Sequence, residues 1–466
     1  MNIFKNHPIY LLTLLAITLC AIFSVGFLHP DEQYYTLDFA FKKLGILENL
    51  TTWEFETRIR PWTLPYFFYI LLLPFKTLGI TNPFTLATIA RLFSGLLGFI
   101  TLISFTKNLR RFFSEDNFKY FEKFSLLFWP LIFMSVRTSS DHWATCFFLL
   151  GLLEILKSEK ISSKSLFIGG LLFGLSFSLR HQTGILSLSF GLWLLISKTL
   201  PLKRWLFSFS SLILLGVLIG IGLDSLGYEQ LTFTPYNYLT ENILKDKISG
   251  FGVMPWWGYL KLSLKGLNIF APLLIIGAVN YMRKNPYAWA TWIFIPFLVF
   301  HSAIGHKELR FLYPLLFIVI YMSFQSYNFI KYKKSFSTIL FFSIIGTVIV
   351  CFKPAYTPMK FYHFLYNYKS GEALDLYTFK DRKGRYPELE MKVFERANTT
   401  LIKDEVKSHN PFYTFTTKYS DLKTINSKYQ CTQEYISYPN WVLKFNFFKW
   451  RDRSNVWALS SCKQIP

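Results

Sequence analysis

The chain is a succession of long apolar runs parted by short polar segments. A helix needs about 20 residues to cross a hydrocarbon core. Runs approaching that length lie near 9–27, 84–106, 121–136, 142–156, 165–179, 184–199, 205–223, 265–282, 286–304, 309–329 and 335–353, eleven in all. The first is longer than the roughly 7–15 apolar residues of a signal peptide. It reads as a retained anchor, although Ser24-Val25-Gly26 offers small residues for cleavage. A further stretch, 62–79, is apolar enough to span but carries Pro65 and Pro74, and each proline removes a helical donor.

Basic residues decide between the two readings of 62–79. If it lies in the interface, Lys5, Lys107-Arg110-Arg111, Lys157-Lys160-Lys164, Lys198-Lys203-Arg204, Arg283-Lys284 and Lys331-Lys333-Lys334 all fall on one side. That is the cytoplasmic excess of Lys and Arg seen in membrane proteins. If it spanned, the first anchor would oppose all five later basic loops. The prediction is a mostly α, polytopic membrane protein with about eleven transmembrane helices. Residues 1–353 form the transmembrane domain, and 28–83 form a first extracytoplasmic loop with juxtamembrane helices.

From Pro354 the character changes, with 18 Lys and Arg against 11 Asp and Glu and no spanning run. Eleven spans from a cytoplasmic start leave 354–466 as a small mixed α/β extracytoplasmic domain. Alternation at Tyr413-Thr414-Phe415-Thr416 and at Trp441-Val442-Leu443-Lys444-Phe445 predicts half-buried strands. On that side a Cys431–Cys462 disulfide is permitted. Asn49-Leu50-Thr51 and Asn398-Thr399-Thr400 fit the N-glycosylation pattern.

Composition narrows the classes. Hydrophobic residues make up 52% and charged residues 17%, against roughly 25% charged in soluble domains. Aromatics, counted within those hydrophobic residues, make up 20% of the chain, so disorder, collagen-like repeats and a disulfide-stapled miniprotein are excluded. The net charge of +22 is explained by the cytoplasmic loops and gives no ground for a nucleic-acid partner. No CxxC or Cys/His metal spacing occurs.

The remaining ionisable clusters share the extracytoplasmic face, and no midplane track of charges of the transporter kind is visible. Asp31-Glu32 follows directly on the first apolar run, where a partly buried carboxylate would serve as a general base. His306-Lys307-Glu308-Leu309-Arg310 precedes another run, and Arg58, Arg137 and Arg180 stand near helix ends. Cations so placed can hold a phosphate, although structural and snorkelling roles are open to each. A carboxylate base, phosphate-binding cations and an apolar groove together suit transfer of a group from a lipid phosphate, with the cations stabilising the departing phosphate. There is no P-loop and no GxGxxG for a soluble nucleotide.

His29-Pro30-Asp31-Glu32 resembles the signature of glycosyltransferase family 22, the polyprenyl-phosphate-mannose-dependent mannosyltransferases of the GT-C superfamily. Thr52-Trp53-Glu54-Phe55 with Arg58 and Arg60, then Arg137-Thr138-Ser139-Ser140, resemble further motifs of that family. So do Asp224-Ser225 with Tyr228, Thr234-Pro235-Tyr236-Asn237-Tyr238 with Asn242, and Gly252-Val253-Met254-Pro255-Trp256-Trp257-Gly258-Tyr259. His306-Lys307-Glu308-Leu309-Arg310-Phe311-Leu312-Tyr313-Pro314 completes the series. The matches run in family order from 29 to 314. Departures fall at Asp141-His142, Arg180-His181-Gln182-Thr183 and the transposed Gly227-Tyr228.

The resemblance implies a GT-C fold and an inverting transfer of mannose from a polyprenyl- or dolichyl-phosphate carrier to a lipid-linked glycan, on the extracytoplasmic face. It implies Asp31 as base, with Glu32 orienting acceptor or donor hydroxyls; on the reading of the residues themselves His306, Lys307 and Arg310 bind the donor phosphate, and Arg137, Arg180 and Arg58 are further candidates for that role. Trp53, Glu54, Asp224, Tyr228, Trp256 and Glu308 would contact substrate, with anchoring at the membrane interface the alternative role for Trp53 and Trp256. No metal or other cofactor is required on this reading, and the partners are the lipid-linked donor, the glycan acceptor and membrane lipids. The compact length favours a bacterial cytoplasmic membrane over the endoplasmic reticulum. Transfer of another sugar, a lipid-glycan flippase and a non-catalytic binding subunit are the alternatives.

Overall fold

A computed structural model describes residues 8–50, 52–327, 331, 333–381, 384–403, 406 and 411–464; Lys5 and Thr51, used above, lie outside them. The chain folds as two compact units. One comprises 1–23, 29–79 and 88–352, the other 24–28, 80–87 and 353–466.

Each of the eleven apolar runs is helical in the first unit or leads into it. Four helices, Pro83–Phe112, Leu202–Gly227, Leu309–Ser326 and Lys333–Phe352, are long and apolar enough to cross a bilayer. Pro8–Phe23, Ser163–Leu179, Thr183–Ile196 and Trp289–Ala303 are shorter apolar helices. The interfacial stretch forms the helix Thr63–Thr77. Its Pro65 sits in the first turn, where the missing N–H is no loss.

The run 121–136 is broken, between helices Glu115–Leu127 and Trp129–Ser135, with Phe128 extended ahead of Pro130. A break in apolar surroundings leaves carbonyls without intrahelical donors, and these must find other partners. Thr13 Oγ1 donates to the Leu126 carbonyl at 3.1 Å. Ser343 Oγ and Thr347 Oγ1 donate to that of Leu127 at 2.9 and 3.2 Å. Small residues let helices Ser163–Leu179 and Ser211–Gly227 approach closely. A Cβ on Gly174 of Ser163–Leu179 would meet the Ile213 carbonyl oxygen at 2.2 Å and the Gly216 Cα at 2.9 Å. Ser178 Oγ donates to the Gly216 carbonyl at 3.2 Å, in the manner of small-residue interfaces between membrane helices.

The second unit carries a five-stranded mixed sheet. Its strands are β1 (Leu374–Tyr377), β2 (Thr399–Ile402), β3 (Phe412–Lys418), β4 (Tyr429–Ile436) and β5 (Asn455–Gln464), in the order β2-β1-β3-β5-β4. β1 is parallel to β2 and β3, and β5 is antiparallel to β3 and β4. Phe361 of helix Pro358–Asn367 stacks near Phe415 and Trp457, while Phe412, Ile425 and Cys462 close a small core. Cys431 and Cys462 oppose each other across β4 and β5 and are disulfide-bonded. The strand expected at 413–416 is β3. That expected at 441–445 is instead the single helical turn Asn440–Lys444, with Leu443 its one buried side chain. Five alternating residues set beside Pro439 satisfy a helical turn as well as a strand.

Candidate functional site

The first helix ends at Phe23, and the chain turns through His29-Pro30 into a helical segment that widens to π-helix over Gln33–Leu37, with Asp31 in the lining of a cleft and Glu32 buried. Asp31 lines a cleft with Tyr35, Arg60, Arg180, His181 and Tyr238, and it is the sole carboxylate among the described lining residues. Ile59, Leu64, Pro65 and Leu179 make the apolar part of the wall. Glu32 is 2% exposed and stays out of the cleft; one of its oxygens accepts from the His29 backbone N–H at 3.4 Å. The adjacent acids therefore occupy different environments.

Guanidinium and carboxylate groups alternate through the site. Arg60 donates bidentately to Glu54, at 3.0 Å from Nε and 2.9 Å from Nη2. Its Nη1 lies 3.4 Å from Asp31 Oδ2, which Arg310 Nη2 approaches to 3.0 Å. Arg310 also reaches Glu308 at 2.5 Å and Asp141 at 3.2 Å, and Asp141 takes Arg180 Nε at 2.8 Å. His29 Nδ1 is 3.0 Å from the other Asp31 oxygen. Burial alone would raise the Asp31 carboxyl, but Arg60, Arg310 and His29 outweigh it and hold the group well below the ordinary carboxylate value. For Glu308, burial is likewise overcome by Arg310 and His29, and its carboxyl is held at about 2. His181 goes to about 3 because burial and the charges of Arg180 and Arg60 all disfavour its imidazolium. The cleft's volume is only about 40 Å³, room for little more than a water molecule.

The turn that presents Arg60 is held from behind. Asp224 Oδ1 accepts the Trp62 backbone N–H at 2.7 Å, and its Oδ2 accepts from Thr234 Oγ1 at 2.5 Å. The Tyr228 hydroxyl donates to the Arg60 carbonyl at 2.9 Å. A Cβ on Gly227 would lie 2.1 Å from the Trp62 ring, so glycine lets that ring seat. Asp224 and Tyr228, expected to contact substrate, hydrogen-bond the backbone of this turn and are absent from the cleft lining. The sequence motif holds both arginines of the turn, yet Arg60 enters the cleft lining while Arg58 is exposed.

Other expected ligands are also placed differently. Lys307 Nζ donates to the backbone carbonyls of Ile304 at 2.5 Å and Met254 at 3.3 Å, and the residue is 5% exposed. Arg137 is fully buried over the Phe133 ring. His306 Nε2 pairs with Glu308 at 2.8 Å, Glu54 is spent on Arg60, and Trp53 lies under Lys247. Trp256 is 74% exposed. Asp141, His29 and His181 belong to the cluster although sequence reasoning passed them over. The departure from the family pattern at 141–142 and 180–183 was the available signal. Among the described residues no group of three or more His, Cys, Asp or Glu is arranged to hold a metal ion.

The family model for the Alg9-like mannosyltransferase family matches residues 9–378. Among curated relatives, the GPI mannosyltransferase 3 of Candida albicans is 34% identical over 166 residues, 35% of this chain and 32% of that protein. The GPI alpha-1,2-mannosyltransferase 3 of Bos taurus is 25% identical over 343 residues, 72% of this chain and 62% of that one. The chain thus matches less than two thirds of these relatives' own lengths. Among solved structures, ArnT from Cupriavidus metallidurans bound to undecaprenyl phosphate shares the fold, with a TM-score of 0.60 over 98% of each chain at 11% identity.

Proposed function

Because the chain belongs to the Alg9-like mannosyltransferase family, we propose that it transfers mannose from a polyprenyl- or dolichyl-phosphate carrier to a hydroxyl of a lipid-linked glycan, inverting the anomeric centre. The observation that carries this reading is Asp31, the one carboxylate among the described cleft residues, bridged by Arg60 and Arg310. In the transfer, Asp31 takes the proton of the acceptor hydroxyl as its oxygen attacks the anomeric carbon. The bond from that carbon to the phosphate oxygen breaks, and its electron pair leaves on the lipid phosphate. Arginine forks suit that developing charge.

The cleft, about 40 Å³ in volume, is smaller than the about 300–1,000 Å³ of ligand pockets. Donor entry therefore parts the ion-pair lattice. A phosphate that takes Arg60 and Arg310 from Asp31 relieves the two charges that depress its basicity, so the base is released only with donor in place. Arg180, already at the cleft wall, is the third phosphate ligand in this reading, in preference to Arg58, Arg137 and Lys307. The acidic relatives of the site, Glu54, Glu308 and Asp141, hold the arginines in register.

The site faces the extracytoplasmic or lumenal side of the membrane on the topology that the basic loops predict. The relatives named are eukaryotic, and the leaning towards a bacterial cytoplasmic membrane gains nothing from them. Their GPI-directed names make a mannosylated glycolipid the first acceptor to try.

The test is sugar transfer in membranes containing the protein, with endogenous donor synthesis blocked. Polyprenyl-phosphate-mannose and GDP-mannose are supplied in parallel with a lipid-linked glycan acceptor. Transfer from the lipid donor alone is the expected result. Transfer from GDP-mannose under the block, or none from any polyprenyl-phosphate sugar, overturns the proposal.

A further inference from the structure

The connection between β4 and β5, residues 437–454, carries large apolar side chains that the second unit leaves open. Trp441, Phe445, Phe447 and Phe448 are 66%, 52%, 71% and 92% exposed, although none belongs to a helix able to cross a bilayer. The Phe445 and Phe447 rings lie parallel, tilted by 6° with centroids 6.0 Å apart, so they present one face. Hydrogen bonds hold the turn in this shape. Asn446 Oδ1 accepts the Arg451 backbone N–H at 3.1 Å, Trp450 Nε1 donates to the Phe445 carbonyl at 2.7 Å, and Arg453 Nη2 donates to that of Phe448 at 2.7 Å. Phe448 and Lys449 take positive φ, 52° and 56°, a region bulky side chains seldom enter. Strain of that kind persists only where the surroundings enforce it, and here it leaves the Phe448 ring almost wholly exposed. Exposed apolar groups gathered in this way mark a surface meant for contact.

The position of the connection says what the contact is. It leaves β4 beyond Tyr435 and enters β5 ahead of Trp457. Those two rings pack on Phe364 and Phe361, at 4.9 and 5.1 Å between centroids. Both partners belong to Pro358–Asn367, the first helix after the span Lys333–Phe352. Ahead of that helix, in the same unit, the Ala355 N–H donates to the Val25 carbonyl at 2.9 Å, joining the chain just past the helix ends at Phe23 and Phe352. The connection thus hangs from the end of the sheet that packs on the chain as it leaves the bilayer. Charge agrees with that place. Lys444, Lys449 and Arg453 are exposed around the rings, and Asp452, the one carboxylate of 437–454, accepts from Asn446 Nδ2 at 3.1 Å. Aromatic rings rimmed by Lys and Arg are the composition of segments that lie among lipid headgroups, where the cations meet lipid phosphates. A soluble anion would leave the rings in water.

We infer that the turn 441–449 dips into the headgroup layer of the bilayer that this chain spans, its aromatic rings inserted and its basic rim on the lipid phosphates, and so ties the second unit to the membrane surface. It shares no residue with the cleft around Asp31 and needs no transfer, so it stands or falls separately from the proposed activity.

The experiment places a nitroxide on Phe448→Cys in the full chain, reconstituted in vesicles of phosphatidylethanolamine and phosphatidylglycerol. Cys20, Cys146 and Cys351 are buried and Cys431 is bonded to Cys462, so the label goes to the new thiol. Asn426→Cys is the reference, exposed on the helix Tyr419–Lys428, which leads into the opposite end of β4. Power saturation reads collisions with oxygen, which concentrates in lipid, and with a water-soluble nickel chelate. The oxygen-to-nickel ratio is several-fold higher at 448 than at 426, and Trp441→Ser with Phe447→Ser brings the ratio at 448 towards that at 426. Thermal midpoints of the labelled chains stay with the parent's, because both replaced side chains are exposed. Equal ratios at the two positions overturn the proposal. So does dipolar broadening at 448 that vanishes on dilution with unlabelled chain, which would make a second copy the occupant. A label at 448 shielded from both probes also overturns it, by placing the ring against protein.

Discussion

Asp31 and Glu32 are adjacent in sequence and chemically alike, yet only Asp31 meets the cleft. Asp31→Asn is expected to lower transfer at least ~100-fold, the usual minimum for loss of a general base, with folding intact. Glu32→Gln, altering a buried group, should act on the thermal midpoint first. Transfer that persists in Asp31→Asn would move the base elsewhere. A pH dependence belongs to the same residues. His181 gains its proton near 6.5 when unfolded but only at about 3 when folded, so the stability it contributes above pH 6.5 is lost as pH falls towards 3. Glu308, ordinarily near 4.5 and held at about 2, adds a loss between those values. Asp38, whose carboxyl burial raises to about 7, acts with the opposite sign over pH 7 to 4, so the test is the difference between variants. Compared with the parent chain, His181→Gln should lose less of its unfolding midpoint as pH falls from 6.5 towards 3, and Glu308→Gln less as pH falls below 4.5; a variant profile parallel to the parent's counts against that residue's assignment. The motif carrying Arg58 and Arg60 was legible in sequence. Which of the two turns inward was not, because it follows from Asp224 and Tyr228 gripping the backbone of 60–62 from more than 160 positions away.

Helices were the most readable elements, since a long apolar run has one way to satisfy its backbone in lipid. The break ahead of Pro130 was less so, and it depends on hydroxyls from two other helices. The Gly174 contact gives the sharpest element-scale prediction. Gly174→Leu must push the Ile213 backbone aside and should destabilise by ~1–3 kcal/mol or more. Gly222→Leu on the partner helix, where an added Cβ meets nothing within 4 Å, should be near neutral. Comparable unfolding midpoints for the two variants would mean that the helices do not pack as described. In the second unit, alternation located β3 but misassigned 441–445. A short alternating segment carries no information on whether a neighbouring strand is there to pair with it.

For the whole molecule, the sidedness of the tail is open to direct measurement. The Cys431–Cys462 bond belongs to an oxidising compartment, as does a tail that follows an odd number of spans from a cytoplasmic start. Peptide mapping of protein alkylated in intact membranes should recover 431 and 462 as one cross-linked pair, with Cys20, Cys146 and Cys351, all buried, as thiols. Reduced Cys431 and Cys462 in that material would count against the orientation, and with it the extracytoplasmic placement of the site.

The membrane class, the helical runs, the sign of the loops and the set of motif residues were determined by the sequence, because hydropathy, charge asymmetry and short motifs are local properties of the chain. The tertiary structure alone decided which motif residues converge. Asp31, Arg60, Asp141, Arg180 and Arg310 come from five separate segments, and a buried charge is tolerated only where an opposite charge from another segment arrives beside it. Packing likewise turned Lys307 to backbone carbonyls, an outcome that no local pattern encodes.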